Sequence, residues 1–233
     1  MKTINKLCIA LLAIMNLTAC DGLLNMTPED TLSPGTFFSS ATELQLWTDG
    51  FYTQLENADD VVATNADDNI DSELGAVLQG QRSAADENGW NWDKLRTINY
   101  YLQNSYRCKD LAARNEYDGV AYFMRAYFYY VKVRRYGDVP WYNQVLTSVD
   151  QELLFKPRDD RGLVMDSVMS DLDKAIRLLP AKKSTARVTK WAALALKTRV
   201  ALYEGTYRKY RGMNDADKYL KQVAEAGETF IKE

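Results

Sequence analysis

The stretch from Tyr117 to Tyr136 constrains the fold of this chain more than any other. Tyr122, Phe123, Ala126, Tyr127, Tyr130, Val131 and Val133 leave little of its surface polar. A helix that is apolar on most sides must be surrounded, so the spacing predicts a central, buried rod. Gly137-Asp138-Val139-Pro140 ends it, with a glycine after the last turn and a proline beyond. The rest of the chain has to supply its neighbours.

Five further segments carry helical spacing. Leu44, Trp47, Phe51 and Leu55 form the first, behind Ser39, Ser40 and Thr42 as candidate caps. Trp92, Leu95, Ile98 (or Asn99) and Leu102 mark the second, after a long loop from Ala58 to Gly89 rich in Asp, Asn and Gly. Beyond the central rod, Val164, Val168, Leu172, Ala175 (with Ile176) and Leu179 share one stripe that stops at Pro180. Thr189 precedes a helix with Trp191, Ala192, Ala195, Leu196, Arg199, Val200 and Tyr203. The last holds Ala216, Tyr219, Leu220, Val223, Ala224, Gly227, Phe230 and Ile231. Nothing longer than a few residues alternates with strand period.

The expected fold class is therefore all-α. Small residues at the expected helix contacts (Ala192, Ala195, Gly205, Ala224, Gly227) suggest antiparallel helix pairs stacked as a degenerate tetratricopeptide-like superhelix with long loops. No clean 34-residue self-similarity is visible. The final helix is still periodic at Phe230-Ile231, just before the sequence stops, and carries no cap. A stacked array needs a polar closing element. The expectation is a polypeptide lacking its C-terminal half.

Composition removes several function classes. The chain has no histidine, so Ser-His-Asp, Cys-His and His-metal chemistry are excluded. A formal net charge of -3 without a basic stripe argues against nucleic acid, whose phosphates need clustered Lys and Arg. Asp59-Asp60, Asp159-Asp160 and Asp71 with Glu73 offer carboxylates, but sequence neighbours on loops do not specify the cleft a glycosidase needs. No enzymatic activity is expected, a carboxylate-dependent glycoside hydrolase being the catalytic alternative. Asp67-Asp68-Asn69-Ile70-Asp71-Ser72-Glu73 spaces oxygen ligands as calcium loops do. Yet Ser72 stands where such a loop needs Gly, and Leu78 where it needs Glu. Neither metal nor cofactor is expected.

The amino terminus reads as an address. Lys2 and Lys6 precede an apolar run from Leu7 to Met15, too short to span a bilayer. Leu17-Thr18-Ala19-Cys20 then resembles a bacterial lipobox, in which Cys20 is acylated and becomes the first mature residue. A plain secretion signal is the alternative. The domain boundaries follow: 1–19 a lipoprotein signal peptide, 20–40 a lipidated tether holding Gly22, Pro28, Pro34 and Gly35, and 41–233 the helical domain. Several acyl chains on Cys20 would anchor the protein firmly to a membrane. Cys8 leaves with the signal, and Cys108 remains as a small buried hydrophobe, with no disulfide available.

Several segments together resemble the amino-terminal half of the SusD/RagB family of Bacteroidetes outer-membrane lipoproteins. Asp21, Leu23, Leu24 and Pro28 after the lipobox cysteine are similar to the family's start. Phe37-Phe38 with Glu43-Leu44 and Gly50-Phe51-Tyr52 resembles its first helix. Trp90-Asn91-Trp92-Asp93 with Leu95-Arg96 and Ile98-Asn99 resembles its second. The most specific piece is Ala126-Tyr127-Phe128-Tyr129-Tyr130 with Arg134-Arg135-Tyr136-Gly137-Asp138-Val139-Pro140, similar to the family's long aromatic helix and its closing turn. Asp171-Leu172, Ala175, Leu178-Leu179-Pro180 and Ala192-Ala193 through Leu202-Tyr203 continue the likeness. Family members usually run about twice this length, and much of their ligand-contacting surface lies in the part this chain does not show.

The resemblance implies a cell-surface lipoprotein of the outer membrane. It would hold an oligosaccharide, or a peptide in RagB-like relatives, and act as a lid over a SusC-like TonB-dependent transporter for nutrient uptake. A helical-repeat scaffold that binds only protein partners is the alternative from a different class. Most of the aromatic residues sit on helical stripes, so Trp47, Trp92, Trp191, Tyr127 and Tyr130 are expected in the core. Trp90 differs, lying at the edge of a polar loop after Asn88-Gly89, and is the candidate platform for a sugar ring. Arg82 and Asp71 in the same loop are candidates to bond sugar hydroxyls.

Overall fold

The structure is a computed structural model that describes residues 37–55, 79–81 and 89–232. Cys20, Asp71 and Arg82 lie outside the described residues, as do the expected signal peptide and nearly all of the tether.

The described residues are helical, and their β-structure amounts to a single bridge between Val139 and Asp159. Helix α1 (Ala41–Asp49) starts at Ser40, whose hydroxyl accepts from the Glu43 N–H while Glu43 reaches back to the Ser40 N–H. This reciprocal pair satisfies two donors that a helix start otherwise leaves open. A 3-10 turn, Gly50–Gln54, carries the apolar face on to Phe51. Helix α2 (Asp93–Asn104) buries Leu95, Ile98, Asn99 and Tyr101. Rings of Phe38, Phe51 and Tyr101 meet edge to face between these elements at 5.9 Å.

Helix α3 (Leu111–Tyr136) is the central rod, 26 residues long. It starts six residues before the apolar pattern does, because Asp110 caps it by accepting from the Ala112 and Ala113 N–H groups. Val120, Ala121, Phe123, Met124, Ala126, Phe128, Tyr129, Tyr130 and Val133 are buried around its circumference. At its end Gly137 takes φ 72°, a conformation that disfavours a β-carbon, and its N–H bonds the Val133 carbonyl.

After an irregular stretch holding the single turn α4 (Gln151–Leu154), helix α5 (Arg161–Leu178) packs on α3. Helix α6 (Lys190–Tyr210) packs on α5, and α7 (Ala216–Lys232) on α6. The pairs are antiparallel. Gly119 near the start of α3 meets Leu179 just past the end of α5, where an added β-carbon would stand 2.9 Å from the leucine Cγ. Gly205 near the end of α6 faces Leu220 near the start of α7, at 2.8 Å in the same sense. The described residues thus form the expected all-α stack of antiparallel helix pairs, tetratricopeptide-like in its packing.

The small contact residues are partly different from those expected. Ala193 and Ala226 are buried, whereas Ala195 and Ala224 face solvent. An Ala-rich stripe leaves its own phase ambiguous by one position, and tertiary packing selects the face. Two buried ion pairs tie the layers together. Arg125 on α3 grips Asp171 on α5 through two bonds of 2.6 and 2.9 Å. Glu204 on α6 takes Arg161 of α5 and Arg208 of its own helix, each at 2.8 Å.

Candidate functional site

The sharp end of α3 determines what lies above it. Pro140, Trp141 and Tyr142 leave Gly137 in an extended run and fold back along α3 and α2. Tyr129 of α3 pins that run, because its hydroxyl accepts the Tyr142 N–H at 2.6 Å. Burial pushes the Tyr129 phenol well above its ordinary pKa, so it stays a neutral donor and acceptor. Asn99 of α2 holds the next residues, donating to the Tyr142 and Gln144 carbonyls at 3.0 and 3.1 Å. Asn99 is itself held by Arg125 at 3.1 Å, which the Asp171 carboxylate fixes. The helical core thus reaches the loop through a continuous chain of bonds, Asp171 to Arg125 to Asn99 to the loop backbone.

Between this loop and α2 lies a groove of about 430 Å³, within the roughly 300–1,000 Å³ usual for small-molecule sites. Trp90, Trp92 and Tyr142 supply its aromatic wall; Asp93, Arg96, Gln144, Lys156 and Arg158 its polar groups, with the buried Asn99 beneath them. Trp90, 39% exposed, meets the edge of Trp92 at 5.2 Å and of Tyr136 at 4.8 Å. The Arg158 guanidinium lies 5.2 Å from its ring centroid. Trp92 touches Tyr142 at 5.9 Å and Phe128 at 5.6 Å. Of the aromatic residues expected in the core, Tyr130 is buried, while Trp47, Trp92, Trp191 and Tyr127 are half-buried, and Trp92 also lines the groove.

Two lysines stiffen the groove. Lys156 donates to the Trp141 carbonyl at 2.8 Å and to Asp159 at 2.6 Å, 4.8 Å from the Tyr142 ring centroid. Burial raises the Asp159 pKa, but the bonds from Lys156 and from the Trp141 N–H outweigh it and hold the carboxyl below its usual range. Lys132 of α3 sits among Trp92, Phe128 and Tyr136 and donates to the Gly89 carbonyl, directly before Trp90. Burial, with Arg135 adding to it, pushes the Lys132 pKa down to about 8.

Of the residues the sequence singled out, Trp90 lies in this groove, while Arg82 and Asp71 fall outside the described residues. Asp159 and Asp160 have structural partners: Asp159 takes Lys156 and the Trp141 N–H, and Asp160 accepts from the Gly162 N–H to cap α5. Tyr142, Asn99 and Lys156 were not expected at a site. Their segments are brought together by folding, and no short-range pattern announces that. Cys108 is buried with its thiol free.

A family model described as starch-binding and associating with the outer membrane matches residues 24–202. The chain belongs to the SusD-like family. Two SusD-like proteins of Formosa agariphila, each 23% identical, align over 94% and 88% of this chain. The chain spans less than half of each relative, 46% and 43%. Among solved structures, a SusD-like protein from Bacteroides fragilis is 27% identical with a TM-score of 0.64, covering 87% of this chain and 41% of that one. A SusD-like carbohydrate-binding protein from the same species superposes with a TM-score of 0.66 at 17% identity, over 84% of this chain and 41% of its own. The fold is thus shared with part of larger SusD-like molecules.

Proposed function

We propose that this SusD-like protein captures oligosaccharide at the outer membrane, through Cys20-linked lipid, and delivers it to a SusC-like TonB-dependent transporter. It binds its ligand without transforming it. The observation that carries the binding half is the groove: an aromatic wall of Trp90, Trp92 and Tyr142 beside the exposed side chains of Asp93, Arg96, Gln144 and Arg158. A pyranose ring has one apolar face and a rim of hydroxyls, and this groove pairs a flat aromatic surface with hydrogen-bonding groups. Family membership supports the same reading, and so does the starch-binding description of the matching model.

Trp90 is the proposed platform, with Arg82 and Asp71 as further hydroxyl partners from the loop before it. The membrane half rests on the lipobox at Leu17-Thr18-Ala19-Cys20, since no helix among the described residues is long and apolar enough to cross a membrane. Affinity electrophoresis of the full-length protein against a panel of glycans tests the binding half. Retardation by one glycan class, weakened by Trp90→Ala, is the expected result. Absence of retardation by every glycan, with retention by a peptide or by a protein partner alone, would replace it with the peptide-binding or scaffold reading. Metabolic labelling with a fatty acid, abolished by Cys20→Ala, tests the anchor.

A further inference from the structure

A second cavity, of about 460 Å³, opens where the ends of α3 and α6 meet the start of α5. Arg134 of α3, Arg161 of α5 and Arg211 just past α6 line it, with Tyr203, Tyr207 and Tyr210. No carboxylate lines it. The guanidinium carbons of Arg161 and Arg211 lie 3.7 and 3.8 Å from the Tyr207 ring centroid, so one phenol ring holds two cations in place.

The charge behind this wall is incompletely neutralised. Arg161 and Arg208 are 5% and 8% exposed and share the single buried carboxylate of Glu204. Arg161 Nε donates to Glu204 Oε2, and its Nη2 lies 2.8 Å from the same oxygen. Asp138 and Asp160 stand nearby, accepting backbone N–H groups of Arg161 and Gly162, and offset part of this charge, but neither lines the cavity. The C-termini of α3 and α6 contribute about half a negative charge each, less than the guanidiniums around them. The lining presents three guanidiniums and no carboxylate, so a group entering the cavity meets a positive wall.

We propose that this cavity binds a tetrahedral dianion, a sulfate or phosphate group, gripped by Arg134 and Arg211 in the field of Arg161. Planar guanidiniums contributed by separate elements to one cavity suit the several oxygens of such a group. Both rim arginines are exposed, so an incoming anion reaches them directly. The shared chemistry admits two sources, a free inorganic anion or a sulfate or phosphate ester on a larger ligand. The site is independent of the Trp90 groove, and the two can succeed or fail separately.

Calorimetric titration of the chain with sodium phosphate and sodium sulfate, against sodium chloride at equal ionic strength, tests it. Saturable binding of the dianions is expected, reduced at least about tenfold in the double variant R134Q/R211Q, less severely in R134K/R211K, which keeps the charge but not the planar fork, and kept in W90A. Dianions indistinguishable from chloride, or an unchanged double variant, would overturn the proposal. Because binding to the wild-type chain is read against chloride, the test holds even if the double variant folds poorly. Competition between phosphate and a sulfated oligosaccharide, absent with its desulfated counterpart, would assign the anion to a glycan; failure of both to compete would assign it to the free ion.

Discussion

Trp90 and Lys132 act on the same few ångströms of the groove. The Trp90 indole is the most exposed part of the aromatic wall, and Lys132 holds the Gly89 carbonyl beneath it. Replacing Trp90 by alanine should weaken glycan binding at least about tenfold, since a stacked aromatic contributes on the order of 0.5–1.5 kcal/mol beyond its buried area. Titration calorimetry would read this. Lys132 makes a different prediction. Its pKa falls from 10.5 to about 8 in the folded protein, so over that interval the unfolded chain binds more protons. Stability therefore rises as pH climbs from about 8 towards 10.5, and this group adds no slope below that window. Melting temperatures across pH 7 to 10 should show the rise, and Lys132→Met should flatten it. Deeper in, Asp171→Ala would leave the Arg125 guanidinium buried with Asn99 alone. A loss of about 3–5 kcal/mol in denaturant unfolding is expected, with a looser groove wall.

Among the elements, the helices were legible in the sequence where apolar periodicity met a clear stop. The closing turn of α3 and the end of α5 before Pro180 follow that rule. The start of α3 did not, because its first turns, Leu111 to Glu116, carry polar and exposed residues, and only the Asp110 cap marks the boundary. Asp110→Ala should cost about 1 kcal/mol, measured as a lowered unfolding midpoint. The α6–α7 seam depends on Gly205. Gly205→Val would drive methyl groups into Leu220, whose nearest atom already stands 2.8 Å from a β-carbon position. Overpacking of this kind costs about 1–3 kcal/mol, which thermal unfolding of the variant would show. The groove was legible only at Trp90, whose place beside a Gly-rich loop set it apart from the helical stripes. Asn99 comes from α2 and Tyr142 and Lys156 from the irregular stretch after α3, and their meeting depends on the bonds from Tyr129 and Arg125 rather than on any local pattern.

At the scale of the whole molecule, the described helices form an antiparallel stack, and the candidate groove is built largely from the connection between α3 and α5. The irregular stretch from Gly137 to Asp160 is held at one side by Tyr129 and Asn99, and at the other by the bridge from Val139 to Asp159. Such a division lets loops vary in what they recognise while the stack stays fixed. The direct test of the central claim uses the five tryptophans, whose indole N–H groups give separate signals in a nitrogen-labelled sample. Titration with a glycan selected from the panel should move the Trp90 and Trp92 indole resonances saturably. Those of Trp47 and Trp191, bonded to the Thr97 and Ala181 carbonyls away from the groove, should stay in place. Saturable binding that leaves Trp90 and Trp92 unmoved would contradict the account.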